Sequence, residues 1–160
     1  MNTSYVNPAT VRALKTYKSL LRATENLQGT LNRQLESFEL TMGQFHVLEA
    51  LLLSGSMTQK ALCEKILCSA GNMAFLMRKL TERGLVERKA NERDERSRRV
   101  ELTREGREVI IAVYPRHANV VRALMATLKV REQETLERLC RKVEAGDPLK
   151  FIRELTMIED

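Results

Sequence analysis

Between Arg78 and Arg99 the chain carries nine Lys and Arg against five Asp and Glu, a local excess of four. The densest part is Asn91-Glu92-Arg93-Asp94-Glu95-Arg96-Ser97-Arg98-Arg99, flanked by Leu85-Val86 and Val100-Glu101-Leu102. Guanidinium groups crowded at one turn suit a polyanion: Arg93, Arg98 and Arg99 have the chemistry of phosphate contacts. Just upstream stands Ser69-Ala70-Gly71-Asn72-Met73. A Ser hydroxyl beside backbone N–H groups, with Gly71 permitting close approach, suits a phosphate at a helix start. Asn72 has a donor and an acceptor for an adenine edge, and Phe75 an apolar ring for a thymine methyl. Packing of that ring onto a neighbouring element is the alternative. Arg78 and Lys79 reach guanine or phosphate, or else form an exposed ion pair with Glu82. Together these residues point to double-stranded DNA.

Such a reader needs a helix, a tight stop and a hairpin. Ser69 caps the helix, Met73, Met77 and Leu80 (with Ala70) form its inner side, and Gly84 ends it. The hairpin strands are expected at Val86–Lys89 and Arg98–Leu102. Upstream, Asn7 and Pro8 open a long helix whose stripe is Leu14, Tyr17, Leu21, Thr24, Leu27, Leu31 and Leu35. Thr41-Met42-Gly43-Gln44 has the form of a capping box. It starts a second helix with Phe45, Leu48 and Leu52 inward, ended by Ser54-Gly55-Ser56. A third helix runs from about Thr58 to Lys65, with Ala61, Leu62 and Ile66 inward. Thr103 caps a long helix through Val109, Val113, His117, Val120, Leu124 and Leu128, which Pro115 should kink. A further helix carries Leu136, Leu139 and Val143. Gly146-Asp147-Pro148 breaks it before a short apolar helix with Leu149, Phe151, Ile152 and Leu155. The fold class is mainly α: a winged helix-turn-helix with long N- and C-terminal helices. Residues 1–36 form an N-terminal dimerisation helix, 37–103 the DNA-binding region and 104–160 the C-terminal dimerisation helices, within one compact domain. Surplus apolar faces at both ends call for a second copy of the chain.

Composition narrows the alternatives. Aromatic residues are 4% and Trp is absent, too few for a surface that stacks single-stranded bases. A net charge of +6 favours an anionic partner. No apolar run approaches the ~18 residues of a membrane span, and the first residues lack the pattern of a secretory signal. The three cysteines, Cys63, Cys68 and Cys140, show no metal-site spacing and are expected as free thiols in a reducing cytoplasm. No metal or other cofactor is expected. There is no phosphate loop, no Gly-x-Ser-x-Gly and no His-Glu-x-x-His, so no catalytic constellation is expected either.

Taken in order, Gln44-Phe45-His46-Val47-Leu48, Ser69-Ala70-Gly71-Asn72-Met73 and Leu80-Thr81-Glu82-Arg83-Gly84-Leu85-Val86 resemble the MarR (multiple antibiotic resistance regulator) family of bacterial winged-helix transcription factors. Asp94-Glu95-Arg96-Ser97 and Val100-Glu101-Leu102-Thr103-Arg104-Glu105-Gly106 continue the match, which covers nearly the whole chain. The resemblance implies a cytoplasmic homodimer on a palindromic operator, usually a repressor, released by a small and often aromatic ligand or by thiol oxidation. It implies that Arg96 enters the minor groove, where a guanidinium fits the negative potential, and that Asp94 orients its basic neighbours. The tip departs from the family pattern at Asn91-Glu92 and at Glu95.

An effector would lie between the first, second and fifth helices, with Tyr17, Leu21, Phe45, His46, Tyr114 and His117 as lining residues; core packing is the competing reading. Cys68, just before the recognition helix, is a candidate redox residue, with a small buried hydrophobe as the alternative; Cys63 and Cys140 read as core, Cys140 mattering to a redox switch only as a resolving partner across the dimer. A basic wing docking on an acidic protein is the third possibility. Salt-sensitive binding to duplex DNA separates it from the others.

Overall fold

The computed structural model describes residues 7–91 and 94–146, with the backbone alone at residue 91 and at 94–97. Arg93 and the expected helix with Leu149, Phe151, Ile152 and Leu155 lie outside the described residues. The chain separates into two compact units that meet between Val121 and Arg122.

Short polar side chains start the helices of the first unit. Asn7 accepts from the Ala9 N–H at 2.8 Å and Pro8 takes the first position of α1 (Pro8–Glu36). Thr41 and Gln44 exchange hydrogen bonds of 3.3 and 2.9 Å in a capping box that opens α2 (Met42–Ser54). Thr58 accepts from Ala61 N–H at 3.2 Å to start α3 (Gln59–Ile66). Ser69 accepts from Asn72 N–H at 3.2 Å to start α4 (Ala70–Glu82). Thr103 does the same for the Gly106 N–H at 2.9 Å and opens α5 (Arg104–Met125).

The core gathers around α2. Gln44, Phe45, Val47, Leu48, Ala50 and Leu51 are all buried, on more than one face. The expected inward residue Leu52 is only half-buried. Packed against α1, α3, α4 and the sheet, α2 is covered on more than one face and leaves Leu53 and Ser54 exposed at its end, so a single stripe does not describe it. Along α4 the buried residues are Met73, Leu76, Met77 and Leu80. Leu76 takes the place expected of Ala70, which at the first helical position stands exposed. On α1 only Leu35 is buried, and Leu14, Tyr17 and Leu21 of the expected stripe are exposed.

Three antiparallel strands in the order β1-β3-β2 make the wing: β1 (Met57–Thr58), β2 (Val86–Asn91) and β3 (Asp94–Leu102). The short β1, not expected from sequence, pairs Met57 with Val100 and Thr58 with Arg99. The hairpin ladder is longer than the expected Val86–Lys89 and Arg98–Leu102, and continues to Asn91 opposite Asp94 through an irregularity at Ala90/Asn91. Backbone groups sustain a ladder whatever the side chains, so a charged, two-sided ribbon extends beyond its apolar base.

Two glycines join this wing to the helices. Gly84, at φ 66°, makes the left-handed stop after α4, and the Leu85 N–H then donates to the Leu80 carbonyl at 2.9 Å. Gly106 lies against the wing base: a Cβ there would stand 1.8 Å from the Leu85 carbonyl oxygen. Thr103 ties the same corner, donating from its N–H to Leu85 O at 3.2 Å and from its hydroxyl to Gly84 O at 2.6 Å. Beyond it α5 buries Ile110, Val113 and His117, and runs through Pro115 to Met125, short of the expected Leu128.

In the second unit, the Lys129 N–H donates to Glu132 at 2.7 Å and opens α6 (Val130–Glu144). This helix buries none of its residues, and Leu136, Leu139 and Val143 are exposed. No described helix is long and apolar enough to cross a membrane.

Candidate nucleic-acid interface

The amphipathic pattern of α4 sets its outward face. With Met73, Leu76, Met77 and Leu80 buried, Ser69, Gly71, Asn72, Phe75 and Arg78 stand exposed, and Lys79 is half-buried at their edge. Nothing lies within 4 Å of the position a Cβ would take on Gly71. Phe75 is 52% exposed, and the Arg78 guanidinium lies over its ring at 5.4 Å. Arg78 and Lys79 also reach Glu82, at 3.9 and 3.0 Å. Both partners are solvated, so these pairs are weak and a phosphate can compete for either cation.

The wing cations divide by strand position. Lys89 sits between Glu87, at 3.3 Å, and Glu101, and these two carboxylates push its amine pKa up. Arg88 donates to Gln59 Oε1 at 3.2 Å. Arg99, expected at phosphate, turns inward instead: its Nε donates to Ser56 Oγ at 2.7 Å and a second nitrogen to the Ser56 carbonyl. The pairing of Arg99 with Thr58 in β1 puts it beside Ser56, so it fastens the wing to the turn after α2. Arg98 is exposed. Asp94 and Arg96 lie in β3, of which the backbone alone is described there, and Arg93 lies outside the described residues. The anchoring partners Ser56 and Gln59 were not expected from sequence. They act across 43 and 29 residues, and no local signal marks them.

The expected effector residues separate. Phe45 is 1% exposed, its ring centroid 4.1 Å from that of His117 and 5.9 Å from that of His46. The His117 Nδ1 lies 3.1 Å from Gln34 Oε1, and the buried Gln34 Nε2 has no partner among the described residues. Burial, with the charge of His46 second, pushes the His117 pKa down. Tyr114 packs half-buried against the core, while Tyr17 and Leu21 are exposed on α1. A cleft of about 300 Å³ takes in His46 alone of this set, with Glu49, Leu53, Lys65, Ile66 and Leu67 among its walls.

All three cysteines are free: Cys63 and Cys68 half-buried, Cys140 exposed. Among the described residues no group of three or more His, Cys, Asp or Glu is placed to hold a metal ion.

The MarR family profile matches residues 40–97, the span from the end of the α1–α2 turn to the wing. Over 116 residues the chain is 33% identical to the transcriptional regulator HosA of Escherichia coli O127:H6, covering 72% of this chain and 86% of HosA. A mutant MarR from E. coli complexed with operator DNA superposes with a TM-score of 0.75 at 24% identity, over 82% of this chain and 95% of that one. BpsR of Bordetella bronchiseptica, whose DNA binding is regulated by 6-hydroxynicotinic acid, does so at 0.73 and 22%, over 81% and 98%.

Proposed function

Since this chain belongs to the MarR family of DNA-binding transcriptional regulators, we propose that it is a homodimeric repressor of a palindromic operator, released by a small, possibly aromatic ligand. The observation that carries the reading is the two-sided α4. Its inner face is locked into the core, and Ser69, Gly71, Asn72, Phe75 and Arg78 face outward beside the wing. In this reading α4 lies in the major groove, with the Ser69 end at a phosphate and Asn72 and Phe75 at base edges. The wing crosses to the minor groove, where Arg96 enters, Asp94 orients its neighbours, and Arg93 and Arg98 hold phosphates.

Dimerisation is supported by the apolar residues that the single chain leaves exposed on α1: Val11, Leu14, Tyr17, Leu20 and Leu21. Residues 1–36 and 104–160 then serve the dimer and 37–103 the DNA, in a bacterial cytoplasm. Two copies related by a two-fold axis place their α4 helices in successive major grooves, about 34–36 Å apart. The ligand site of this reading lies between α1, α2 and α5, where Phe45, His46 and His117 cluster. The regulation of BpsR by a small aromatic acid supports an effector of that kind.

Arg96→Ala tests the placement of the wing. On a duplex selected from a randomised pool by the wild-type protein, the variant should lose affinity and show a shallower slope of log affinity against log salt. Its helicity and sedimentation should stay unchanged. Equal affinity and slope would refute the minor-groove contact, and salt-insensitive capture of an acidic protein in place of duplex would favour the interaction-module reading.

A further inference from the structure

α1 carries a row of positive charge that its own chain does not neutralise. Arg12, Lys15, Lys18 and Arg22 follow one another at spacings of three, three and four residues. At 3.6 residues per turn that spacing sets them within one arc of about 120° of the helix. Leu14, Tyr17, Leu20 and Leu21 occupy a separate arc of about 120° on the other side. The four cations are exposed, as is every residue from Asn7 to Asn26. No carboxylate stands between Pro8 and Thr24. Among the described residues none of the four pairs with one, Glu25 included.

Such a row is unfavourable for the helix that holds it. Like charges three and four residues apart repel one another. Arg12 also lies near the positive end of the dipole of a helix with no acidic residue in its first turn. An anionic partner relieves both. The four charges extend over about 15 Å of helix axis, and one strand of B-form DNA sets about four phosphates in that length.

We propose that this face of α1 is a second DNA-contacting surface, which holds a duplex segment other than the one against α4. Within its own chain α1 packs on α2, and its one buried residue is Leu35. The row stands about 20–35 Å along the helix from that anchor, clear of the elements that carry α4. In the proposed dimer the apolar arc meets the second copy, and the row stays in solvent on the outer side. A lipid surface would need that apolar arc as well as the cations, whereas a duplex needs the cations alone. One dimer then bridges two stretches of DNA. The bridging rests on the reading of α4 as the operator-contacting helix; the basic surface does not.

The test compares the full-length wild type with the Arg12→Gln/Lys15→Gln/Lys18→Gln/Arg22→Gln variant. Glutamine is a good helix former, so helicity should be unchanged. On an unrelated duplex the variant's slope of log affinity against log salt should be shallower by about 0.9 for each cation engaged, roughly 3.6 for the whole row. With the selected duplex immobilised and saturated with protein, wild type should capture a second, unrelated duplex. The variant should capture it at least roughly tenfold less while holding the selected duplex as wild type does. Arg12→Lys/Arg22→Lys, which keeps the charge, should capture like wild type. No capture by wild type, or equal capture by the glutamine variant, would overturn the proposal. A parallel loss on both duplexes would overturn it too, because that is the mark of net charge and not of a surface. So would binding of wild type to phosphatidylserine vesicles with no second duplex captured. If the selected duplex were not held at all, the reading of α4 would fail, and the slope on the unrelated duplex would still decide the row.

Discussion

Gly106→Ala concentrates the packing argument into one methyl group. The added Cβ would lie 1.8 Å from the Leu85 carbonyl oxygen, 2.8 Å from its carbon and 3.1 Å from its Cα. The obstacle is backbone, so no side chain can swing aside. To reach an ordinary contact, α5 and the wing base must part by more than an ångström. That shift strains the two bonds by which Thr103 holds Gly84 and Leu85. Overpacking costs about 1–3 kcal/mol, and losing two hydrogen bonds about 1 kcal/mol each. Alanine returns about 1 kcal/mol of helix propensity. The net is a destabilisation of about 2–4 kcal/mol, or roughly 5–15 °C in Tm for a chain of this length. Thermal and urea denaturation at one fixed protein concentration measure it, because a dimer's Tm depends on concentration. A variant that melts at or above the wild-type temperature would show that α5 does not approach the wing so closely, and would refute the reasoning.

Gly71→Ala is the opposite case. The space around it is open, so the fold should be unaffected or gain up to about 1 kcal/mol, while affinity for the selected duplex falls because the methyl stands between α4 and a phosphate. Undiminished binding would remove Gly71 from the contact. For His117, the folded-state pKa lies below the ordinary 6.5, so the unfolded chain binds more protons in that window. Stability is therefore full above about pH 6.5 and falls as the pH drops through the folded value. The Tm of wild type should fall more between pH 7.5 and 5.5 than that of His117→Gln, and equal losses would exclude His117 as the source.

The helix starts were legible because their chemistry is local. Asn7, Thr41, Thr58, Ser69 and Thr103 each accept from an N–H two or three residues ahead, and a hydrogen bond that short is written in the residue types. The outward face of α4 was legible for a related reason, since Met73, Met77 and Leu80 fix one side of a regular helix. Leu76 was not assigned inward from the sequence, yet it stands three residues after Met73 and four before Leu80, and the structure buries it on that same face.

By itself, then, the chain determined the order of its described helices, the caps at Asn7, Thr41, Ser69 and Thr103, the left-handed stop at Gly84 and the basic hairpin that follows. Those depend on contacts within a turn or two of helix. Tertiary structure alone decided that Arg99 fastens the wing to Ser56, that β1 joins the sheet, and that Gln34 meets His117 across 83 residues. It also decided that Gly106 is required for space rather than for a turn. Each of these is a choice among partners far apart in sequence. Such a choice is made by which surfaces the core brings together, and no local run of residues encodes it.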